Sequence, residues 1–122
     1  MSLKIVEQSN PPTLLLAGRL DTNTAPELDA TLNRVLANTG LVRLVFDLSQ
    51  LEYLSSAGIR CFVRARKALE RGGGQVALVN PQPSVRKVLD IVKAIPTDNV
   101  FESVAELDAY LDVMQRKVRD GA

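Results

Sequence analysis

Two hydrophobic periods alternate along this chain, and that alternation restricts its fold more than any other feature. Residues 41–48 read LVRLVFDL, a short and nearly continuous apolar run. Such a run suits a strand covered on both faces. Ile59, Phe62, Val63, Ala65 and Leu69 then recur at helical spacing, and residues 75–79 (QVALV) return to a buried-strand pattern. A strand, a helix and another strand in succession imply parallel strands joined by a crossover helix.

The flanking segments extend the scheme. Residues 3–8 and 13–20 carry apolar runs separated by Asn10-Pro11-Pro12, a turn signal, so the first two strands are expected to form an antiparallel hairpin. Gly18-Arg19-Leu20-Asp21 closes the second strand. Thr24 and Glu27 have the spacing of a capping box, with Pro26 in the first turn, ahead of Ala25, Leu28, Leu32, Val35 and Leu36 on one helical face. Asn38-Thr39-Gly40 stops that helix, and Gly72-Gly73-Gly74 stops the next one. Pro81-Gln82-Pro83-Ser84 opens a third helix with Val85, Val88, Leu89 and Val92 on one face. Val100-Phe101 reads as a brief last strand. Ser103 and Glu106 form a second capping box before a fourth helix lined by Val104, Leu107, Leu111, Met114 and Val118. The expectation is an α/β fold: a four- to five-stranded mixed sheet with about four helices packed on it. One domain spans 1–122, with a core over about 3–112 and a C-terminal tail at 113–122.

Composition narrows the chemistry. The 122 residues are 46% hydrophobic, enough for one core without covalent staples. There is no histidine and one cysteine, which removes His-based triads, His metal ligands, phosphohistidine relays, intrachain disulfides and Cys-rich zinc sites. A net charge of +1 gives no bulk attraction to nucleic acid or to a membrane surface. The absence of Trp, with few other aromatics, leaves no stacking platform for bases. No apolar run reaches the roughly 18 residues of a membrane span. These readings point to a non-enzymatic, cytoplasmic protein with no assigned cofactor, metal or catalytic residue.

Residues 45–60 hold the chemistry that remains. A buried strand ends at Asp47-Leu48, a loop follows, and Ser55-Ser56 starts a helix. Functional groups in parallel sheets collect beyond the carboxyl ends of strands. Ser56 is therefore expected at a helix N-terminus, in an exposed corner where free N–H groups and the helix dipole favour an anion. Spacing alone equally allows Ser55 or Ser56 to be a plain N-cap. Arg60, Arg64, Lys67 and Arg71 form a basic stripe that reads as a solvated face, or as a docking stripe for an acidic partner. Asp21 and Asp47 read as strand-end caps rather than a carboxylate pair, and Cys61 as a packed thiol.

Asp47-Leu48-Ser49, followed by Ser55-Ser56-Ala57-Gly58-Ile59, resembles the signature of the STAS domain, the fold of bacterial anti-sigma factor antagonists. Gly18-Arg19-Leu20-Asp21 is similar to a second family pattern, and the resemblance covers about residues 3–112. It implies that Ser56 is the phosphoacceptor and that Asp21, Asn23, Leu54, Ser55, Ser56, Ala57, Gly58, Ile59 and Arg60 contact the partner. It further implies that the unphosphorylated protein binds a serine-kinase anti-sigma factor and frees a sigma factor. The kinase phosphorylates the antagonist, and a separate serine phosphatase reverses that step. Two positions depart from the pattern. Ser55 stands where aspartate is common, and Ala57 where serine or threonine is common. Ser55 is thereby a competing acceptor. A different role on the same fold is a non-phosphorylated STAS subunit of a lipid-trafficking ABC transport complex. An enzyme acting on a small phosphate ligand would have only Ser56, Asp21 and Asp47 to work with.

Overall fold

The computed structural model describes residues 2–38, 40–94 and 104–120. The chain runs β1 (Leu3–Gln8), β2 (Thr13–Leu20), α1 (Ala25–Leu36), β3 (Arg43–Leu54), α2 (Ser56–Glu70), β4 (Gln75–Val79), α3 (Pro83–Ala94) and α4 (Val104–Arg119). The strands form one mixed sheet in the order β1-β2-β3-β4. β1 pairs antiparallel with β2, while β2–β3 and β3–β4 are parallel. The expected hairpin, the crossovers and the four helices are all present. Val100-Phe101 and the Ser103 cap lie outside the described residues, as do the side chains of Val92, Val104, Glu106 and Leu107.

The core gathers where the two hydrophobic periods meet. Leu14, Leu16 and Leu20 of β2 and Leu44, Phe46, Leu48, Leu51 and Leu54 of β3 pack with Leu28 and Leu32 of α1 and Ile59, Phe62, Ala65 and Leu69 of α2. Phe46 and Phe62 stack at a tilt, with ring centroids 4.9 Å apart. Each such side chain contributes about 1.5–3 kcal/mol on full burial, so this cluster dominates the favourable side of folding. Helix α2 ends as the glycine run implies. The N–H groups of Gly72 and Gly74 both donate to the Leu69 carbonyl, at 3.0 and 2.8 Å, and Gly73 takes a φ of +80°.

Two local expectations are corrected. β3 continues to Leu54 instead of ending near Leu48. In this stretch Ser49 and Gln50 are both exposed, while Tyr53 and Leu54 are both buried, which breaks strict alternation. The cause is two register shifts against β2, where Leu15↔Asp47 gives way to Ala17↔Gln50 and Gly18↔Leu51 to Arg19↔Tyr53. Each shift is a bulge that adds one residue to β3 and reverses the facing of its side chains.

The second correction is the capping box at Thr24. Its side chain makes no cap bond to α1. The hydroxyl instead donates to the Arg19 carbonyl at 2.8 Å and accepts the Asp21 N–H at 2.9 Å. Helix α4 runs to Arg119, in line with the helical face expected through Met114 and Val118. Met114 and Gln115 are buried because α4 packs on α3 and against α2.

Candidate partner-binding site

Parallel pairing brings the carboxyl ends of β2 and β3 side by side. Leu20 is the register partner of Leu54, and the Ser55 N–H donates to the Leu20 carbonyl at 2.9 Å. The loop after β2 and the start of α2 therefore share one edge of the sheet, which sets Asp21 beside Ser55-Ser56 as expected.

Asp21 organises its own loop. Its Oδ1 accepts the N–H groups of Asn23 (2.9 Å) and Thr24 (3.1 Å), and the Ala25 N–H donates to its carbonyl at 2.8 Å. This is the work of an Asx turn leading into a helix. Arg19 lies 3.7 Å from the Asp21 carboxylate, with its guanidinium 3.9 Å from the centroid of the Tyr53 ring. Asp47 likewise serves a turn, its Oδ1 accepting the Ser49 N–H at 3.0 Å. Asp47 sits opposite Leu15, and Asp21 lies beyond Leu20. At about 3.3 Å per strand residue the two carboxylates are roughly 20 Å apart along the sheet. They form no pair. Among the described residues no cluster of His, Cys, Asp or Glu is arranged to hold a metal ion.

The start of α2 differs from the exposed corner expected for it. Ser56 is the first helical residue, as predicted, but it is only 1% exposed. Leu54, Ser55, Gly58 and Ile59 are buried with it, and Asp21 and Ala57 are half-buried. Of the nine residues expected to face a partner, Asn23 and Arg60 are exposed. The reason is steric. Only Ser55 separates β3 from α2, so the first turn of the helix is drawn down onto the ends of β2 and β3. Gly58 permits the approach. A Cβ there would lie 2.6 Å from Leu20 Cγ and 2.6 Å from Leu54 Cδ1. The second motif glycine, Gly18, has a φ of +103°, and a side chain there would be driven into the Ser2 carbonyl.

Ser55 is the N-cap residue of α2, with extended backbone, yet its side chain makes no cap bond. Its Oγ is buried and has no hydrogen-bond partner among the described residues. Polar atoms in that condition are rare in folded proteins.

Beside the junction, α1 and α2 bound a groove of about 250 Å³ lined by Thr22, Pro26, Asp29, Ala57, Arg60 and Arg64 among others. Thr22, Pro26 and Asp29 carry no motif that marks them in the sequence. Arg64 reaches across to α1, donating to Asp29 Oδ1 at 2.7 Å and to Asn33 Oδ1. One member of the basic stripe thus ties two helices together, and the stripe as a whole lies on an exposed face. Cys61 is buried against α1, its Sγ 3.4 Å from Asp29 Oδ1. Burial first, and the adjacent Asp29 charge second, push its thiol up to about 12. It is a protonated packing group rather than a nucleophile.

Gln115, on α4, was not marked by any motif. Its Oε1 accepts the Leu54 N–H at 2.8 Å, and its Nε2 donates to the carbonyls of Leu54 (2.8 Å) and Leu111 (3.1 Å). The one sequence signal is a polar residue next to Met114 and four after Leu111, on an otherwise apolar stripe.

The fold and this junction define a small α/β module in which the Asp21 loop and the start of α2 share one edge of the sheet. The sequence profile described as the STAS domain matches residues 2–107. The putative anti-sigma factor antagonist BtrV of Bordetella bronchiseptica is 33% identical over 93 residues, covering 74% of this chain and 79% of that protein. An anti-sigma factor antagonist from Mycobacterium paratuberculosis superposes with a TM-score of 0.65 at 23% identity, covering 84% of this chain and 94% of that one. The Bacillus cell fate determinant SpoIIAA in its phosphorylated form superposes with a TM-score of 0.58 at 21% identity, covering 73% and 81%. The chain belongs to the STAS domain family.

Proposed function

We infer that this protein is an anti-sigma factor antagonist, a binding module that captures an anti-sigma factor and so releases a sigma factor. The observation that carries the reading is the likeness over most of the chain to a relative named as such an antagonist. The shared edge formed by the Asp21 loop and the start of α2 supports it, since it offers one continuous surface to a partner. Asn23 and Arg60 supply its exposed polar groups, with Asp21 and Ala57 between them. Among the described residues no helix is long and apolar enough to cross a membrane. Its action is assigned to the cytoplasm, where an anti-sigma factor holds its sigma factor.

Ser56 is the residue we assign to regulation by a serine kinase and an opposing phosphatase. Its burial changes how such a switch must work. A kinase cannot reach the hydroxyl of a residue only 1% exposed until the first turn of α2 moves away from Leu20 and Leu54. A phosphoserine carries about −1.5 to −2 charges near neutral pH, and returning that charge to the interior costs several kcal/mol. Phosphorylation would therefore hold the first turn open and disrupt the contact edge, instead of only adding charge to a preformed surface.

Affinity capture with the intact protein tests the binding function. A kinase-fold ATPase recovered together with a sigma factor is the expected result. Recovery of an ABC ATPase would replace the reading with that of a transport subunit. For the switch, incubation with the captured kinase should place phosphate on Ser56 by mass spectrometry and leave Ser56→Ala unmodified while still bound. Modification confined to another residue, Ser55 included, rejects the assignment.

A further inference from the structure

Buried backbone groups must find partners, and the junction that carries Ser56 finds one of its own in an unexpected place. β3 outruns β4, whose last pairing is Val79 with Asp47. Past that point no strand among the described residues lies beside the edge of β3 turned away from β2. The Ser55 N–H points toward β2, where it meets the Leu20 carbonyl. Successive residues of a strand direct their backbone groups to opposite neighbours, so the N–H and C=O of Leu54 face the vacant side.

Helix α4 fills that vacancy with Gln115. The carboxamide accepts from the N–H and donates to the C=O of Leu54, both at 2.8 Å, as a paired strand residue would. A third bond to the Leu111 carbonyl fixes the side chain to its own helix at 3.1 Å. Gln115 is 2% exposed, so water does not compete for these bonds. Leu54 immediately precedes the N-cap of α2. The Ser55 side chain adds nothing to the helix start: it caps nothing, its Oγ has no partner among the described residues, and the first turn carries no acidic residue. The attachment of Leu54 to α4 holds the last residue of β3 on the edge opposite β2.

We propose that Gln115 is the positioning residue of the β3–α2 junction: its grip on Leu54 keeps the Ser56 hydroxyl buried, and release of that grip exposes it. The purpose of such a gate rests on the reading of Ser56 as the regulated residue. The mechanical coupling between α4 and the junction does not. Regulation then depends on the C-terminal helix, which lies outside the motif that marks the site.

A thiol placed at the acceptor position reads the gate without any kinase. In the full chain, Ser56→Cys is compared with the same substitution combined with Gln115→Met, which keeps the volume and removes all three hydrogen bonds. A second combination uses Gln115→Glu, which can still accept from Leu54 N–H but, when ionised, cannot donate to its carbonyl. Labelling by Ellman's reagent near about pH 8 is followed by peptide mass mapping, with native Cys61 as the internal standard for loosening of the whole molecule. The expected result is labelling at position 56 that is at least roughly tenfold faster in the Gln115→Met background, and intermediate with Gln115→Glu, while Cys61 labelling stays constant. Equal rates at position 56, or rates at positions 56 and 61 rising by one common factor, overturn the proposal. Hydrogen exchange on Gln115→Asn, whose shorter side chain retracts from Leu54, gives a parallel measure if either double variant does not fold. Selective loss of protection at residues 54–58 supports the gate, and uniform loss across the sheet refutes it. Faster labelling together with kinase modification elsewhere would strike the Ser56 switch and leave the Gln115 coupling standing.

Discussion

Replacing Gly58 by alanine sets helix propensity against packing. An alanine inside a helix is favoured over glycine by about 1 kcal/mol, so Gly58→Ala in an open α2 would stabilise the protein. Here the added Cβ would lie 2.6 Å from Leu20 Cγ, 2.6 Å from Leu54 Cδ1 and 2.7 Å from Leu20 Cδ2. Carbon atoms rest at about 3.5–4.0 Å, so the helix or the leucines must give way by roughly 1 Å. Leu20 and Leu54 are each 0% exposed, and the atom struck in Leu20 is its branch point, so neither side chain can swing into solvent. Overpacking of this kind costs about 1–3 kcal/mol, and the closed surroundings place it near the upper end. After the propensity gain the net loss is about 2 kcal/mol. For a domain of this size that lowers Tm by about 8 °C. Urea denaturation with an unchanged m-value is the assay. The loss should shrink when Leu20→Ala opens space beneath the new methyl, giving a compensating term in a double-mutant cycle. A Gly58→Ala protein as stable as the original would refute the close-approach argument and return the glycine to a matter of propensity.

Gly18→Ala combines a backbone conformation unfavourable for alanine with a Cβ driven toward the Ser2 carbonyl. A destabilisation of about 1–3 kcal/mol is expected by thermal melting, with β1 amides the first to lose hydrogen-exchange protection. Cys61 should resist thiol reagents near neutral pH until the protein is denatured, as its raised value of about 12 requires. Because the unfolded thiol ionises near 9 and the folded one does not, the stability tied to this group is whole below pH 9 and declines between 9 and about 12. Chemical denaturation across that range should lose this decline in Cys61→Ala. The Glu7 carboxyl is held below its ordinary 4.5, first by its hydrogen bond to the Arg34 guanidinium, which donates at 3.0 and 2.5 Å. A depressed carboxyl contributes stability above its unfolded value and loses it as pH falls through the folded one. Arg34→Ala should raise the Glu7 midpoint in an NMR titration and flatten the acid limb of stability, by a small amount because the pair is exposed.

What the chain states locally was legible. The strand at 13–20, the helix beginning at Ala25, the strand at 75–79 and the glycine stop after α2 depend on neighbours a few residues away, and periodicity with turn residues records them. The change from strand to helical pattern put Ser56 at the N-terminal end of α2, and the resemblance of Gly18-Arg19-Leu20-Asp21 put the second loop beside it. Capping at Thr24 failed as a reading because its hydroxyl is held by the Arg19 carbonyl and the Asp21 N–H, while the Glu27 N–H donates to the Thr24 carbonyl.

Other properties exist only between segments remote in sequence. The extension of β3 to Leu54 depends on bulged pairing with β2, and two adjacent polar residues conceal it from any period-based reading. Whether Ser56 is exposed depends on how closely α2 descends onto Leu20 and Leu54. Gln115 has no local sign of its partner, since its hydrogen bonds reach a backbone 61 positions away. Element type is a short-range property of the chain, governed by backbone sterics and side-chain period. Burial and pairing are set by what the folded chain brings against each residue, and for this protein that contact decides how far the Ser56 hydroxyl is exposed.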